Sequence, residues 1–382
     1  MKYSKLNSYF FVHSIGLILL SVIFFMSAGD ALAQKKVKKK KKAKPFELKV
    51  GLSSTYDDNI LKYSDKYLER FMNGEDEGRF HIKTYDDLIV NPSLELEYTF
   101  RIFKKYKSEL SASYSPKLYT VNSIKNWDIR SIEFRQYFAK RANFKISYSY
   151  IPYFYVRHFR DDNWINVYGY TSEAFQPYSF SKDNYGGWVE NTFFKNTKIR
   201  FTFYYSTYYH NQHYTEYDSK NFLYGIKFYQ PLHRKFKVEL AYQFITSDAK
   251  GYDASISTPE TTLGPDATYV EDIFNLSVIY YLPKLKKRSN HLDISFAYMK
   301  RFYSSQYSAL VDPLHAGRVD NNYRLYFTYK ISLSSSFKLY AYYNWLMRDS
   351  HTKAKINSSY VSDEKDYNQN QVGLKVMYNF KF

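Results

Sequence analysis

From Tyr367 to Phe382 the chain reads YNQNQVGLKVMYNFKF, and its apolar residues fall on every second position. Val372, Leu374, Val376, Tyr378, Phe380 and Phe382 share one parity, while Gln371, Gly373, Lys375, Asn379 and Lys381 share the other. A period of two belongs to a β-strand and to no helix. A strand greasy on one face and polar on the other suits a wall between lipid and an aqueous lumen. The plainer alternative is an edge strand of a soluble β protein.

Composition separates the two. The 382 residues include 44 Tyr and 31 Phe, carry a formal charge of +18 and have a mean hydropathy of -0.55. Such a polar chain is not a helical membrane protein, whereas a transmembrane barrel can be this polar because only alternate residues meet lipid. Aromatic abundance fits strands that need girdles at both interfaces, since a phenol ring is apolar in its body and polar at its tip. The sequence has no Cys, which removes disulfides, thiolate metal sites, cysteine nucleophiles and an acylated lipoprotein terminus together.

At the N-terminus, Lys2 and Lys5 precede an apolar run from Ile15 to Met26, and Ala31-Leu32-Ala33 supplies a small-x-small cleavage pattern. Residues 1–33 are therefore expected to be a secretory signal peptide. Eight lysines follow between Lys35 and Lys44. Like charges at this density repel and form no core, so residues 34–45 are expected to be a disordered periplasmic arm. Its expected partners are anionic headgroups, peptidoglycan or an acidic periplasmic protein, and not nucleic acid.

Residues 46–382 divide into runs of strand character joined by connections that alternate in length. Short ones read KKYKSE, KRAN, KNTK, PLHRK, PKLKKRSN and SLSSS; longer ones include Tyr56–Asp87, Phe159–Asn184, Thr246–Thr268, Tyr303–Arg318 and Arg348–Asp366. The fold expected is all-β: a transmembrane antiparallel up-and-down β-barrel of about fourteen strands, with twelve and sixteen left open, short periplasmic turns and long extracellular loops. The sixth strand, expected near Tyr185–Phe194, has no clear face. Basic turns and the lysine arm would make the periplasmic rim positive.

If the Val372 face meets lipid, the opposite face of each strand lines the lumen. That face is expected to hold Arg101, Arg135, Arg200, Lys227, Arg301, Arg324, Lys330 and Arg348 with Glu97, Glu133 and Asp293. Bases outnumber acids there, and charge rings select ions in narrow pores. The expectation is a channel or transporter for small polar or anionic solutes. Its alternatives are a salt-bridge lattice that only braces the wall, a barrel for export or assembly of another molecule, and a structural or adhesive barrel.

No GxSxG or HExxH motif is present, and nothing in the sequence calls for a metal or cofactor. His158 near Asp161 and Asp162, and the pairs Asp57-Asp58 and Asp86-Asp87, offer acid–base groups; turn formation and divalent-ion contact with lipopolysaccharide are the competing roles. His210 and His213 have metal-compatible spacing, but two ligands make no site alone. The expected protein is not an enzyme.

Two stretches resemble known families. Gln371, Gly373, Val376, Tyr378, Phe380 and Phe382 together resemble the C-terminal assembly signal of outer-membrane β-barrels of Gram-negative bacteria. That resemblance implies recognition by the barrel-assembly machinery and residence in the outer membrane, among its lipid and lipopolysaccharide. GLSSTYDDNILKYSD, from Gly51 to Asp65, is similar to the opening strand and loop of barrel domains in surface lipoprotein assembly modifiers, through its Tyr-Asp-x-Asn stretch. This second likeness implies a porin-like barrel more than an activity.

Overall fold

The computed structural model describes residues 45–75, 78–102, 106–138, 141–160, 169, 171–252, 258, 265–285 and 288–382. The expected signal segment and lysine arm lie outside the described residues, as do Lys104, Lys105, Lys140, Asp161, Asp162, Lys286 and Lys287.

Fourteen strands run in chain order: β1 Phe46–Asp57, β2 Asp87–Ile102, β3 Tyr106–Tyr119, β4 Trp127–Tyr137, β5 Ala142–Arg160, β6 Phe175–Phe193, β7 Thr197–His210, β8 Ser219–His233, β9 Phe236–Ala249, β10 Tyr269–Tyr281, β11 Asn290–Tyr303, β12 Arg318–Ser332, β13 Phe337–Thr352 and β14 Tyr367–Lys381. Each pairs antiparallel with its sequence neighbours, and β1 pairs with β14 to close the barrel. At the seam, Phe46 and Phe382 exchange backbone hydrogen bonds of 3.1 Å in each direction. Asn379 Nδ2 donates to Glu47 Oε1 at 2.9 Å, and the Phe46 and Phe382 rings stack at 6.2 Å. Closure leaves no unpaired edge in the lipid, where an unmet N–H or C=O has no water to turn to.

The register sends Val372, Leu374, Val376, Tyr378 and Phe380 outward, together with Leu52, Leu94, Leu96, Ile132, Ile146, Phe201, Leu240, Phe274 and Phe296; all are exposed. Leu374 keeps 65% of its surface free. An apolar band of this extent in a closed barrel is a lipid-facing surface. Aromatic pairs border it. Near the short turns Phe46 stacks on Tyr98 at 4.7 Å and Phe236 on Tyr280 at 4.6 Å. Near the long loops outward Tyr148, Tyr242, Tyr298 and Tyr343 donate to Asp183, Asp272, Asn321 and Asn370 over 2.6–2.8 Å. Each phenol thus keeps its ring in the apolar zone and anchors its hydroxyl to a polar group.

Several strands are longer than their sequence pattern suggests, among them β6, β2 and β13, which runs to Thr352 and shortens the expected Arg348–Asp366 connection. β6 begins at Phe175, ten residues before the expected Tyr185, because its outward face carries Asp183 beside Tyr185 and Val189 while its inward face carries Trp188. Mixed faces hide a period of two. The β5–β6 connection is consequently 161–174 and not Phe159–Asn184. β2 begins at Asp87, and Pro92 lies inside it opposite Leu52, although proline ordinarily marks a strand start or edge.

Candidate functional site: two polar cavities beneath a loop cap

Among the described residues, polar side chains of the inward parity line two cavities in the barrel. The first, about 310 Å³, lies toward the short turns and is lined by Lys49, Glu95, Glu97, Glu109, Ser111, Glu133, Arg135, Lys145, Trp188 and Arg200. Most of its charges are paired. Lys49 Nζ donates to Glu95 at 2.7 Å and to Glu97 at 3.0 Å, and Lys145 donates to Glu133 at 2.8 Å. Arg200 reaches the buried Glu190 through Nη2 at 2.7 Å and Nε at 3.1 Å, and packs its guanidinium over Trp188 at 4.1 Å. Arg135 holds Asn143 at 2.9 Å and approaches the same Trp188 ring at 4.9 Å.

The second cavity, about 430 Å³, is bounded by β1–β3 and β12–β14: Ser53, Thr55, Ile89, Asn91, Lys117, Arg324, Tyr326, Thr328, Tyr340, Tyr342, Asn344, Gln371, Lys375 and Met377. It holds three bases and no acid. Arg324 Nε donates to Asn344 Oδ1 at 3.0 Å, and Asn344 Nδ2 donates onward to Gln371 at 2.8 Å. Lys117 lies over the Trp127 ring at 4.8 Å. Among the described residues none of Lys117, Arg324 and Lys375 has a carboxylate within ion-pair distance. Gly373 shapes this wall: a Cβ there would overlap the Tyr342 ring, which lies flat across β14 so that its hydroxyl meets Thr55 Oγ1 of β1 at 2.5 Å.

The outer mouth is crossed by loops. The β1–β2 connection carries helix α1, Asp65–Met72, whose N-cap Ser64 accepts from Tyr67 N. Around it Ile60, Leu61, Tyr63, Tyr67 and Ile82 form a buried cluster, with Tyr63 only 1% exposed. This one connection touches several parts of the rim. Asn59 Nδ2 donates to Asn368 O of β14 at 2.9 Å, Arg157 of β5 donates to Leu61 O at 2.7 Å, and Lys83 N donates to Asn122 of the β3–β4 connection at 2.7 Å. Helix α2, Ser358–Lys365, comes from the β13–β14 connection. Its Glu364 accepts from Tyr67 and pairs with Arg79 at 3.7 Å, while Lys365 reaches Phe159 of β5 at 5.5 Å. Segments anchored on β14, β5 and the β3–β4 connection at once must span the opening. Beneath them Gln371 donates to Asp57 at 2.7 Å, so the second cavity adjoins this cap.

Two cap lysines, the buried Lys125 and the half-buried Lys365, have no carboxylate within ion-pair distance among the described residues. Lys125 donates to the carbonyls of Tyr155 at 2.9 Å and Val156 at 3.1 Å. Burial lowers its ammonium from the usual 10.5 to about 7, helped by Arg157 and Lys62. Lys365 is lowered to about 7 as well, first by burial and then by repulsion from Arg318.

The residues singled out from sequence fall in distinct places. Glu97, Glu133, Arg135 and Arg200 come together in the first cavity, and Arg324 lies in the second. Lys330 packs over Tyr340 at 5.3 Å; Lys227 pairs with Glu239 at 2.7 Å; Arg301 pairs with Glu271 at 3.2 Å. Arg348 donates to Asn322 at 2.8 Å, Asp293 has the inward parity of β11, and Arg101 stands exposed near the β2–β3 turn. Of the C-terminal residues, Gln371 and Gly373 face inward, whereas Val376, Tyr378, Phe380 and Phe382 are exposed. Lys117 and the tyrosines of the second cavity had no signal of their own, because Tyr populates both faces of these strands.

The acid–base candidates have structural partners. His158 Nδ1 meets Tyr155 Oη at 2.6 Å, and its ring stacks on His81 at 3.6 Å. Asp57 receives Gln369 at 2.8 Å, Asp58 receives Asn370 at 2.7 Å, Asp86 receives Tyr56 at 2.7 Å, and Asp87 receives Thr120 and Asn122. All four clamp loops to strands. His210 engages Tyr178 at 2.9 Å and His213 lies by Gln212 at 3.5 Å. No cluster of three metal-ligating side chains occurs among the described residues.

The closed ladder, the outward apolar band and the polar interior decide the class. This chain is an outer-membrane β-barrel. No family model and no curated relative matches the sequence. Solved structures resemble the barrel loosely: a bacterial polysaccharide outer membrane secretin at 8% identity and TM-score 0.46, covering 89% of this chain and 100% of that one. An anion-selective porin from Comamonas acidovorans superposes at 8% identity and TM-score 0.43, covering 88% and 98%. OmpT from Vibrio cholerae, in vitro folded, superposes at 10% identity and TM-score 0.39, covering 89% and 99%. With scores this low, the assignment of the barrel rests on its own strand ladder and faces.

Proposed function

We propose that the barrel is a channel for small polar solutes with a preference for anions, closed at its outer mouth by the β1–β2 and β13–β14 connections. The observation that carries this reading is the interior itself. It is lined by charged and hydroxyl groups around cavities of several hundred Å³, whereas a barrel that only braces a membrane fills its core with interlocked side chains. The unpaired bases of the second cavity supply the anion preference. Support for a non-catalytic role comes from His158 and the paired aspartates, whose hydrogen bonds hold loops in place.

The test is conductance of the refolded chain in planar bilayers under a potassium chloride gradient, alone and with residues 62–82 replaced by a short glycine-serine link. Stable openings with a reversal potential on the chloride side, more frequent after the replacement, are the expected result. A correctly folded barrel that stays silent in both forms would overturn the channel reading in favour of a structural or adhesive barrel.

A further inference from the structure

The second cavity brings three bases together with no acid in its lining. Several inward bases find acids, Lys49, Lys145, Arg200, Lys227, Arg301 and Arg318 within 3.2 Å, while Arg135 holds Asn143 and Lys330 packs over the Tyr340 ring. Around the second cavity Lys117, Arg324 and Lys375 find no acid among the described residues; Arg324 is exposed and Lys117 and Lys375 are half-buried, so their like charges are gathered at the lumen wall, where they attract anions. Their neighbours are hydroxyl and amide groups, able to donate to and accept from hydroxyls. Arg324 is also oriented, since Asn344 holds its Nε while the fork geometry of a guanidinium leaves its Nη groups to meet a planar anion.

We propose that the second cavity is a binding site for a small polyhydroxylated carboxylate, such as a sugar acid. Lys117, Arg324 and Lys375 take the carboxylate, and Tyr326, Tyr340 and Tyr342 with the surrounding amides take the hydroxyls. The cavity of about 430 Å³ is in the range of small-molecule sites. Gly373 keeps it open: without a Cβ, β14 lets the Tyr342 ring lie flat against the wall, pinned to Thr55. Any larger residue there pushes the ring into the space the ligand needs.

This inference deepens the channel reading, so its test is kept independent of conductance. Isothermal titration of the refolded full chain in detergent uses glucuronate as probe, with glucose as the neutral control. Saturable glucuronate binding is expected, with glucose binding at least tenfold weaker. Arg324→Gln and Lys375→Gln should each weaken glucuronate by roughly tenfold or more, as the loss of a charge-assisted contact does. Lys237→Gln removes an interior charge outside the cavity and should leave binding unchanged. Gly373→Ala alters no charge and should also weaken it, and Arg324→Lys covers the case in which Arg324→Gln fails to fold. Equal binding of glucose and glucuronate, or undiminished binding in Arg324→Gln and Lys375→Gln, would overturn the site. A silent bilayer together with intact binding would remove the channel and leave the site standing.

Discussion

The two interior cavities are similar in size and opposite in electrostatics. In the first, each lysine lies against a glutamate and Arg200 is locked to a glutamate that is only 4% exposed. In the second, three bases share a space with tyrosines and amides. A paired lattice stiffens a wall and leaves little net field, whereas unpaired bases raise the local concentration of anions. One barrel thus separates bracing from recognition along its axis, with bracing near the short turns and recognition under the cap.

The largest expected effect falls on the paired side. Glu190→Gln leaves Arg200 and Lys198 facing a neutral partner and should destabilise the barrel by about 3 kcal/mol, measured as a shift in urea-induced unfolding. A change below about 1 kcal/mol would show that water already screens this pair and would erase the contrast between the cavities. Next comes selectivity. The double variant Arg324→Gln, Lys375→Gln should move the reversal potential most of the way toward zero, while stability stays within about 1 kcal/mol of the parent because no ion pair is broken.

A third prediction concerns the cap over the second cavity. Lys125 and Lys365 titrate near 7 in the closed cap and near 10.5 when released into water. The released state therefore binds more protons between those values, so the closed cap gains stability as pH rises through that window and carries the full penalty of burying the charges below pH 7. Arg157 and Arg318 add repulsion, partly offset by Asp57, Glu364 and Asp320. Channel openings should become more frequent as pH falls from about 10.5 to about 7 and level off below that, and Lys365→Met should flatten the dependence. Smallest of all, Lys145→Gln in the paired cavity should shift the reversal potential by less than either single substitution in the second cavity. An equal shift would mean that both cavities contribute alike to selectivity.

The barrel was legible because lipid enforces a period of two on each strand, and β14 shows it without interruption from Val372 to Phe380. β6 did not, because Asp183 sits on its outward face above the apolar band, where a Tyr148 hydroxyl meets it. Inward parity also follows from that period, which is how Arg200 and Arg324 can be placed on one face without a structure. Parity gives no distances around the barrel. The pairing of Lys49 with Glu95 and Glu97, or the isolation of Lys375, depends on which strands are neighbours and at what stagger. The cap was hidden for another reason: α1 owes its place to Arg157, Asn122 and Asn368, all remote in sequence, and its own pattern is too short to predict a buried face.

The seam between β1 and β14 has a consequence for the order of assembly. Its side-chain bond from Asn379 to Glu47 joins residues 332 apart, so the two strands meet only after the intervening chain has been made and held. Until then β1 and β14 each offer a full row of open backbone groups, the template that invites pairing with the wrong chain. Contacts so distant in sequence also form slowly. Keeping both free edges from other strands until they meet is therefore a demand of the topology itself.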